Sequence, residues 1–132
     1  MLIGLELIEA ARLKERLRPT SIVLCNELVI PPAQAALHQL RLPSSEELVA
    51  QVGRHAATVR RIDGLALAQQ AGNAGALNAV MLGALSTLPQ CPVTGDELLA
   101  AMLEEGSARS RDLNRRAFAL GREALTGHPA QR

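Results

Sequence analysis

The chain has 132 residues, with 14 Lys and Arg against 13 Asp and Glu and a net charge of +1. This balance excludes the strong positive field with which proteins attract nucleic acid, and a hydrophobic content of 48% with 20% charged residues excludes a disordered chain. No apolar run approaches the ~18 residues of a membrane span, and we expect a cytoplasmic protein. The length of the chain predicts a single domain over residues 1–132.

The start of the chain predicts a strand, a helix and a second strand. Residues 2–5 form a short apolar run that ends at Glu6. Glu6 and Glu9 favour a helix over about residues 6–17, because acidic side chains stabilise a helix N-terminus. The apolar, β-branched run over residues 21–25 is typical of a buried strand. This order of elements indicates an α/β fold.

The next segment repeats the alternation of helix and strand. Ser44 as N-cap and Glu47 three residues later form a capping box, and Gly53 marks the end of the helix that they start. Residues Thr58 to Ile62 predict a third strand. Asp63 is placed to cap the helix that follows this strand.

Residues 74–88 are almost free of charge and predict a helix that is buried on two faces. We expect Met81, at the centre of the large-residue stripe, to lie in the core. An amide in such a helix needs hydrogen-bond partners, so Asn78 predicts a bond either to a neighbouring loop or to a partner subunit. Large side chains form one stripe and small residues the other: Leu77, Met81, Ala84 and Leu88 against Gly75, Ala79, Gly83 and Ser86.

A second capping box, Thr94 with Glu97, starts a helix that Gly106 closes. Strands that alternate with helices predict a parallel sheet covered by helices. The expected fold class is therefore α/β, with three α/β/α layers, a short and mainly parallel sheet and a helix-rich C-terminal half.

The last predicted helix covers about residues 110–125. Asn114, Phe118 and Gly121 fall on one strip of it, and its arginines point the other way, as in a solvated face. Asn114 raises the same question of hydrogen-bond partners as Asn78. The residues after Leu125 are expected to fray.

The sequence lacks the patterns of a catalytic or metal site. His38, His55 and His128 are scattered and no C-x-x-C or H-x-x-x-H occurs, so we expect no bound metal. Cys25 is interpreted as a small buried hydrophobe rather than a nucleophile, and both cysteines as reduced thiols. The run G-N-A-G over residues 72–75 lies between two helices rather than after a strand, which favours a helix end over a phosphate cradle.

A set of short motifs resembles a known family in order and spacing. The motifs are E-L-I-E-A-A-R-L, N-E-L-V-I-P-P, L-P-S-S-E-E-L, I-D-G-L-A-L-A-Q-Q-A-G-N, N-A-V-M-L-G-A-L and N-R-R-A-F-A-L-G. Together they resemble the gamma-type subunits and domains of 2-oxoacid:ferredoxin oxidoreductases over nearly the whole chain. The P-P pair, the later L-P-S and the A-G-N before N-A-V-M-L-G are most similar to the small (beta) subunit of indolepyruvate oxidoreductase.

The resemblance implies a large subunit that binds thiamine diphosphate and iron-sulfur clusters, decarboxylates the 2-oxoacid to an acyl-CoA and passes electrons to ferredoxin. It implies that this chain is the non-catalytic α/β partner of that subunit, with no catalytic, cofactor-binding or metal-binding residue of its own. Whether the chain is an enzyme by itself is left open. The family-signature positions are candidates for the interface: Glu6, Glu9, Pro31, Asn73, Asn78, Gly83, Asn114, Phe118 and Gly121.

One departure from the family pattern bears on this prediction. Family members begin with a strand and a glycine-rich G-x-G-G-x-G turn before the segment that matches Leu2 to Arg12, with which this chain starts. We therefore interpret the chain as the C-terminal portion of a gamma-type domain, either a fragment or a shortened homologue, and expect no CoA or nucleotide site in it. An uncovered strand edge predicts self-association through the N-terminal strand or the helix over residues 74–88.

Other functions remain open at this point. A stand-alone α/β protein-interaction module without enzymatic activity is the first alternative, and a small-ligand domain that uses the region from Asn73 to Asn78 is the second. Pyruvate, 2-oxoisovalerate and 2-oxoglutarate oxidoreductases are alternatives to the indolepyruvate type.

Overall fold

The computed structural model describes residues 1–32 and 41–126. These residues fall into two compact units, residues 1–61 and residues 62–126, and each unit is described by itself. The positions of His38 and His128 and the predicted fraying of the last residues lie outside the described residues.

The first unit contains a small parallel sheet with helices between its strands. Its strands are β1 (Leu2–Gly4), β2 (Ile22–Asn26) and β3 (Thr58–Ile62), in the order β1-β2-β3. A parallel pair of strands needs a crossover connection. Helix α1 (Leu7–Arg12) lies in the connection from β1 to β2, and helix α2 (Ser45–Gly53) in the connection from β2 to β3.

One face of the sheet forms the core of this unit. In the register of the sheet, Gly4 of β1 lies beside Cys25 of β2. A Cβ added at Gly4 would lie 2.8 Å from the Cβ of Ala10, so glycine is needed for α1 to pack this close to β1. The core cluster joins β2 to both helices through alternate strand residues and one face of each helix: Val23, Cys25, Leu7, Ala10, Ala11, Leu48 and Val52.

The second unit is helical. It contains α3 (Gly64–Ala71), α4 (Leu77–Leu85), α5 (Gly95–Leu103) and α6 (Ala108–Thr126), with a 3-10 turn over Ala74–Ala76 before α4. The most extensive packing between helices in this unit is that of α4 against α6. No helix in the described ranges is both long and apolar enough to cross a membrane.

Helices α4 and α6 touch backbone to backbone. A Cβ added at Gly83 of α4 would overlap the carbonyl oxygen of Phe118, and one added at Gly121 of α6 would overlap the carbonyl oxygen of Val80. The two glycines therefore fit reciprocally into each other's helix. Met81 and Phe118 are only 2% and 1% exposed, which confirms that Met81 lies in the core.

Side chains start the helices as the sequence predicts. In both predicted capping boxes the hydroxyl accepts a bond from the N3 backbone and the N3 glutamate accepts one from the N-cap backbone: Ser44 with Glu47 and Thr94 with Glu97. Asp63 caps α3 through a bond from the backbone N–H of Ala66 at 2.9 Å. These contacts satisfy N–H groups that a helix cannot satisfy internally.

The predicted fold class is confirmed: the chain is α/β with a parallel sheet and a helix-rich C-terminal half, compatible with three α/β/α layers. The predicted bounds of the first helix were too long. α1 ends at Arg12, because the N–H of Leu13 bonds back to carbonyls of the last turn. The chain then continues as a separate 3-10 turn over Lys14–Arg16.

The close crossing of α4 and α6 predicts that these glycines tolerate no side chain. Gly83→Ala and Gly121→Ala should each lower the free energy of unfolding by about 3 kcal/mol, since the added methyl meets backbone, which cannot rotate away. Urea unfolding followed by circular dichroism measures this. Gly53→Ala is the matched control, because the nearest atom to its Cβ is 4.0 Å away, and it should stay within about 1 kcal/mol of the parent. Equal effects at the three positions would contradict the crossing.

The capping glutamates predict part of the acid sensitivity. Hydrogen bonds from the backbone N–H groups of Ser44 and Thr94 lower the pKa of Glu47 and Glu97 below the ordinary value of 4.5. Their contribution to stability is therefore complete above pH 4.5 and is lost as the pH falls through the lowered, folded-state pKa.

Glu47→Gln combined with Glu97→Gln should flatten this loss, because Gln keeps an acceptor oxygen but does not titrate. Urea unfolding from about pH 7 to about pH 3 measures the slope. Glu15→Gln, at an exposed carboxylate that accepts no hydrogen bond within the described ranges, should keep the parent slope. A parent slope in the double variant would contradict this account of the caps.

Candidate functional site

The carboxyl ends of β1 and β2 carry a cluster of polar contacts centred on Glu6. One carboxylate oxygen of Glu6 accepts a bond from the backbone N–H of Glu9 at 2.8 Å, which caps α1. The other oxygen accepts a bond from the N–H of Ile30 at 2.9 Å. A third bond runs from the N–H of Leu7 to the carbonyl oxygen of Leu28 at 2.9 Å. Glu6 thus ties the start of α1 to the segment that follows β2 and leads to Pro31.

Asn26 completes this cluster from the end of β2. Its side chain is fully buried, and Nδ2 donates to the carbonyl oxygen of Leu5 at 3.1 Å. Asn26 is not among the site residues predicted from the sequence. The signal was present, because a polar residue that directly follows a buried parallel strand lies at the edge where ligands and polar contacts collect in α/β folds.

Arg61 forms an ion cluster that was also missed. Its guanidinium lies 3.3 Å from the carboxylate of Glu27, which follows β2, and 2.5 Å from that of Glu46 in the first turn of α2. The side chain of Arg61 is 27% exposed, and the hydrogen bond to Glu46 raises the pKa of this arginine. An arginine inside the strand pattern T-V-R-R-I was the available signal. The cluster ties the end of β2 and the start of α2 to β3.

Cys25 lies beneath this cluster as a buried thiol. Burial raises the pKa of Cys25 to about 11, the negative charge of Glu27 adds to this rise, and Arg61 opposes it. The sulfur lies 3.6 Å from the carbonyl oxygen of Arg60, to which the thiol donates. A thiol held protonated near neutral pH is a poor nucleophile and a poor metal ligand, in agreement with the interpretation as a small buried hydrophobe.

The predicted site residues separate into two groups. Glu6 and Glu9 meet at the sheet edge, next to the Ile30–Pro31 segment. In the helical unit the α4–α6 crossing brings together Gly83, Phe118 and Gly121, and Asn114 lies half-buried one turn before Phe118. The second group packs helices rather than forming a chemical site.

The two asparagines near the start of α4 are exposed. Asn73 accepts a bond from the N–H of Gly75 at 2.8 Å through Oδ1 and so caps the 3-10 turn. The premise that Asn78 is buried in a two-faced helix was wrong, because its side chain is exposed while Ala79 and Val80 are buried. Helix α4 is covered around most of its circumference near its centre, but its first turn leaves one strip open to solvent, and Asn78 lies there.

Among the described residues, no three histidine, cysteine or carboxylate side chains are grouped closely enough to hold a metal ion. A shallow cavity of about 380 Å³ lies against the outer surface of α2, between the side chains of Arg41 and Arg54. Arg41 pairs there with Glu47 at 3.6 Å. This cavity contains none of the family-signature positions.

Comparison with known proteins identifies the family. The family described as pyruvate ferredoxin/flavodoxin oxidoreductase matches residues 1–124. A curated relative named indolepyruvate oxidoreductase subunit IorB, from Methanothermobacter thermautotrophicus, is 31% identical over 89% of this chain and 60% of its own length. Relatives of the same name from Pyrococcus horikoshii and Thermococcus kodakarensis are 30% and 29% identical, each over 94% of this chain and 62% of its own length.

The chain therefore spans about three fifths of the length of these relatives. The motifs that suggested a 2-oxoacid oxidoreductase are distributed over the same stretch that the family matches, from the Glu6 cluster to the α4–α6 crossing. This chain belongs to the pyruvate ferredoxin/flavodoxin oxidoreductase family.

Proposed function

We propose that this chain is a non-catalytic portion of the small subunit of a thiamine-diphosphate-dependent 2-oxoacid oxidoreductase of the indolepyruvate type. A large subunit carries out the oxidative decarboxylation to an acyl-CoA and delivers the electrons to ferredoxin. The observation that carries the proposal is the similarity to indolepyruvate oxidoreductase subunits over most of this chain. Its own contribution is structural, as a folded partner for the large subunit.

The polar groups at the sheet edge bond to other groups of the fold, which supports a structural role for them. Both oxygens of Glu6 accept backbone hydrogen bonds, and the amide of Asn26 donates to a backbone carbonyl. Arg61 is shared between two carboxylates. Each of these groups has a partner within the fold, as expected of residues that hold the sheet edge together.

The residues present do not fit an iron-sulfur cluster. Such clusters are held by cysteine thiolates, usually four, and this chain contains two cysteines. Cys25 is buried with a raised pKa, which disfavours the thiolate that a cluster needs. We therefore assign the iron-sulfur clusters to the large subunit.

The N-termini of α2 and α5 do not fit the phosphates of thiamine diphosphate or CoA either. A free N-terminus binds phosphate through N–H groups and a positive dipole end. The first turns of α2 and α5 are instead occupied by carboxylates of the chain itself, Glu46 and Glu47 in α2 and Asp96 and Glu97 in α5. A phosphate at either of these two N-termini would meet like charge, and we assign thiamine diphosphate and CoA to the proposed partner subunit.

Self-association is a further part of the proposal. Strand β1 lies at the edge of the described sheet, with Ile3 40% and Leu5 45% exposed beside it. Exposed strand edges pair with other chains. The other predicted surface, the neutral helix, is unsuited, because α4 buries six of its nine residues inside its own unit.

Reconstitution tests the proposed function. The purified chain should oxidise no 2-oxoacid, and addition of the large subunit of an indolepyruvate oxidoreductase should give ferredoxin reduction with indolepyruvate above that with pyruvate, 2-oxoisovalerate or 2-oxoglutarate. The large subunit without this chain is the control and should be less active. Iron-sulfur absorbance in the purified chain would contradict the division of roles. An unchanged rate and no complex would support a stand-alone interaction module instead.

A further inference from the structure

Helix α5 is amphipathic, yet none of its side chains is fully buried. Each of the other five α-helices in the described ranges contains at least two buried residues, whereas α5 contains none. Its large apolar residues, all only half-buried, are Leu98, Leu99, Met102 and Leu103. Val93, just before the helix, is 43% exposed. Contacts with α4 and α6 therefore cover the apolar side of α5 incompletely.

Carboxylates border this apolar strip at both ends. Asp96 and Glu97 lie in the first turn of α5, and Glu104 and Glu105 directly follow its last residue. All four side chains are exposed, and within residues 1–32 and 41–126 none of them forms an ion pair. Arg122 lies beside Gly95 but forms no ion pair with any of these four carboxylates.

The carboxylates at the two ends of α5 have different roles. Glu97 closes the capping box with Thr94, accepting bonds from its N–H at 2.8 Å and its hydroxyl at 2.7 Å. Glu104 and Glu105 lie at the negative end of the helix dipole, where acidic side chains are unfavourable. These two acidic residues therefore do not stabilise the helix, and a contact outside the helix is needed to explain them.

We propose that α5, together with Val93, forms a docking surface for a basic, apolar segment of the large subunit. The inference rests on the proposed function and names the surface through which it acts. The half-buried apolar strip supplies contact area that association would remove from water. Glu104 and Glu105, which form no ion pair within the described residues, favour a partner that carries Lys or Arg opposite them.

A second copy of this chain is a poorer occupant of the surface. Two copies related by a twofold axis would place α5 against α5 and bring the four carboxylates of each copy close to those of the other. Like charges placed opposite each other oppose association. The charge pattern therefore selects a basic partner rather than a copy of the same surface.

Charge reversal tests the surface without disturbing the fold. Glu104→Lys combined with Glu105→Lys should lower the affinity of the chain for the large subunit about tenfold at low ionic strength. Added salt should reduce this difference in affinity between the variant and the parent. Lysine at the C-terminal end of a helix favours folding, so the variant should unfold in urea no earlier than the parent. Val93→Ser should weaken binding in the same assay through the apolar strip.

The matched control is Glu15→Lys combined with Glu123→Lys, which changes the net charge equally at exposed positions outside α5. It should bind the large subunit like the parent. Parent affinity in the Glu104/Glu105 variant, with the parent complex intact, would overturn the docking surface and leave the proposed function standing. Absence of any complex with the parent chain would overturn both. A dimer of the chain alone that this variant dissociates would assign the surface to a second copy and overturn the proposal.

Discussion

The contact between the backbones of α4 and α6 is the constraint on which the helical unit depends. Gly83 and Gly121 allow each helix to lie against a carbonyl of the other, a separation that no residue with a side chain permits. This approach buries Met81 and Phe118 beside the crossing. Helix α5 packs against both of these helices, and its apolar strip stays incompletely covered there.

In the sheet unit, polar side chains hold the carboxyl edge of the sheet together. A parallel sheet of three short strands has little backbone pairing to hold its carboxyl edge together. Glu6 and Asn26 join β1 to the end of β2, and Arg61 joins β2 and α2 to β3. In many α/β proteins the same edge binds a ligand. Here its polar residues are engaged in holding the fold, which is why we place the chemistry in a partner and the function of this chain in assembly.

Local signals made most of the elements predictable from sequence. Both capping boxes, the Asp63 cap and the strand at Thr58 each depend on residues a few positions apart, and the structure contains them where the sequence placed them. The exposure of Asn78 was not predictable, because it depends on how α4 packs against other helices. The positions of Asn26 and Arg61 next to or inside a strand could be read from the sequence, but their partners Leu5 and Glu46 could not, because these are distant in sequence. Gly83 and Gly121 were found through the family motifs, and only the structure explains why both must be glycine.

Hydrogen-deuterium exchange of this chain, measured with and without the large subunit, tests the central claim that the chain acts by docking. The account predicts slower exchange across α5 and the turn at Val93 when the large subunit is present, with no such change on addition of thiamine diphosphate or CoA to the chain alone. Exchange in α5 that the large subunit leaves unaltered, with slowing instead upon addition of a cofactor to the isolated chain, would contradict it.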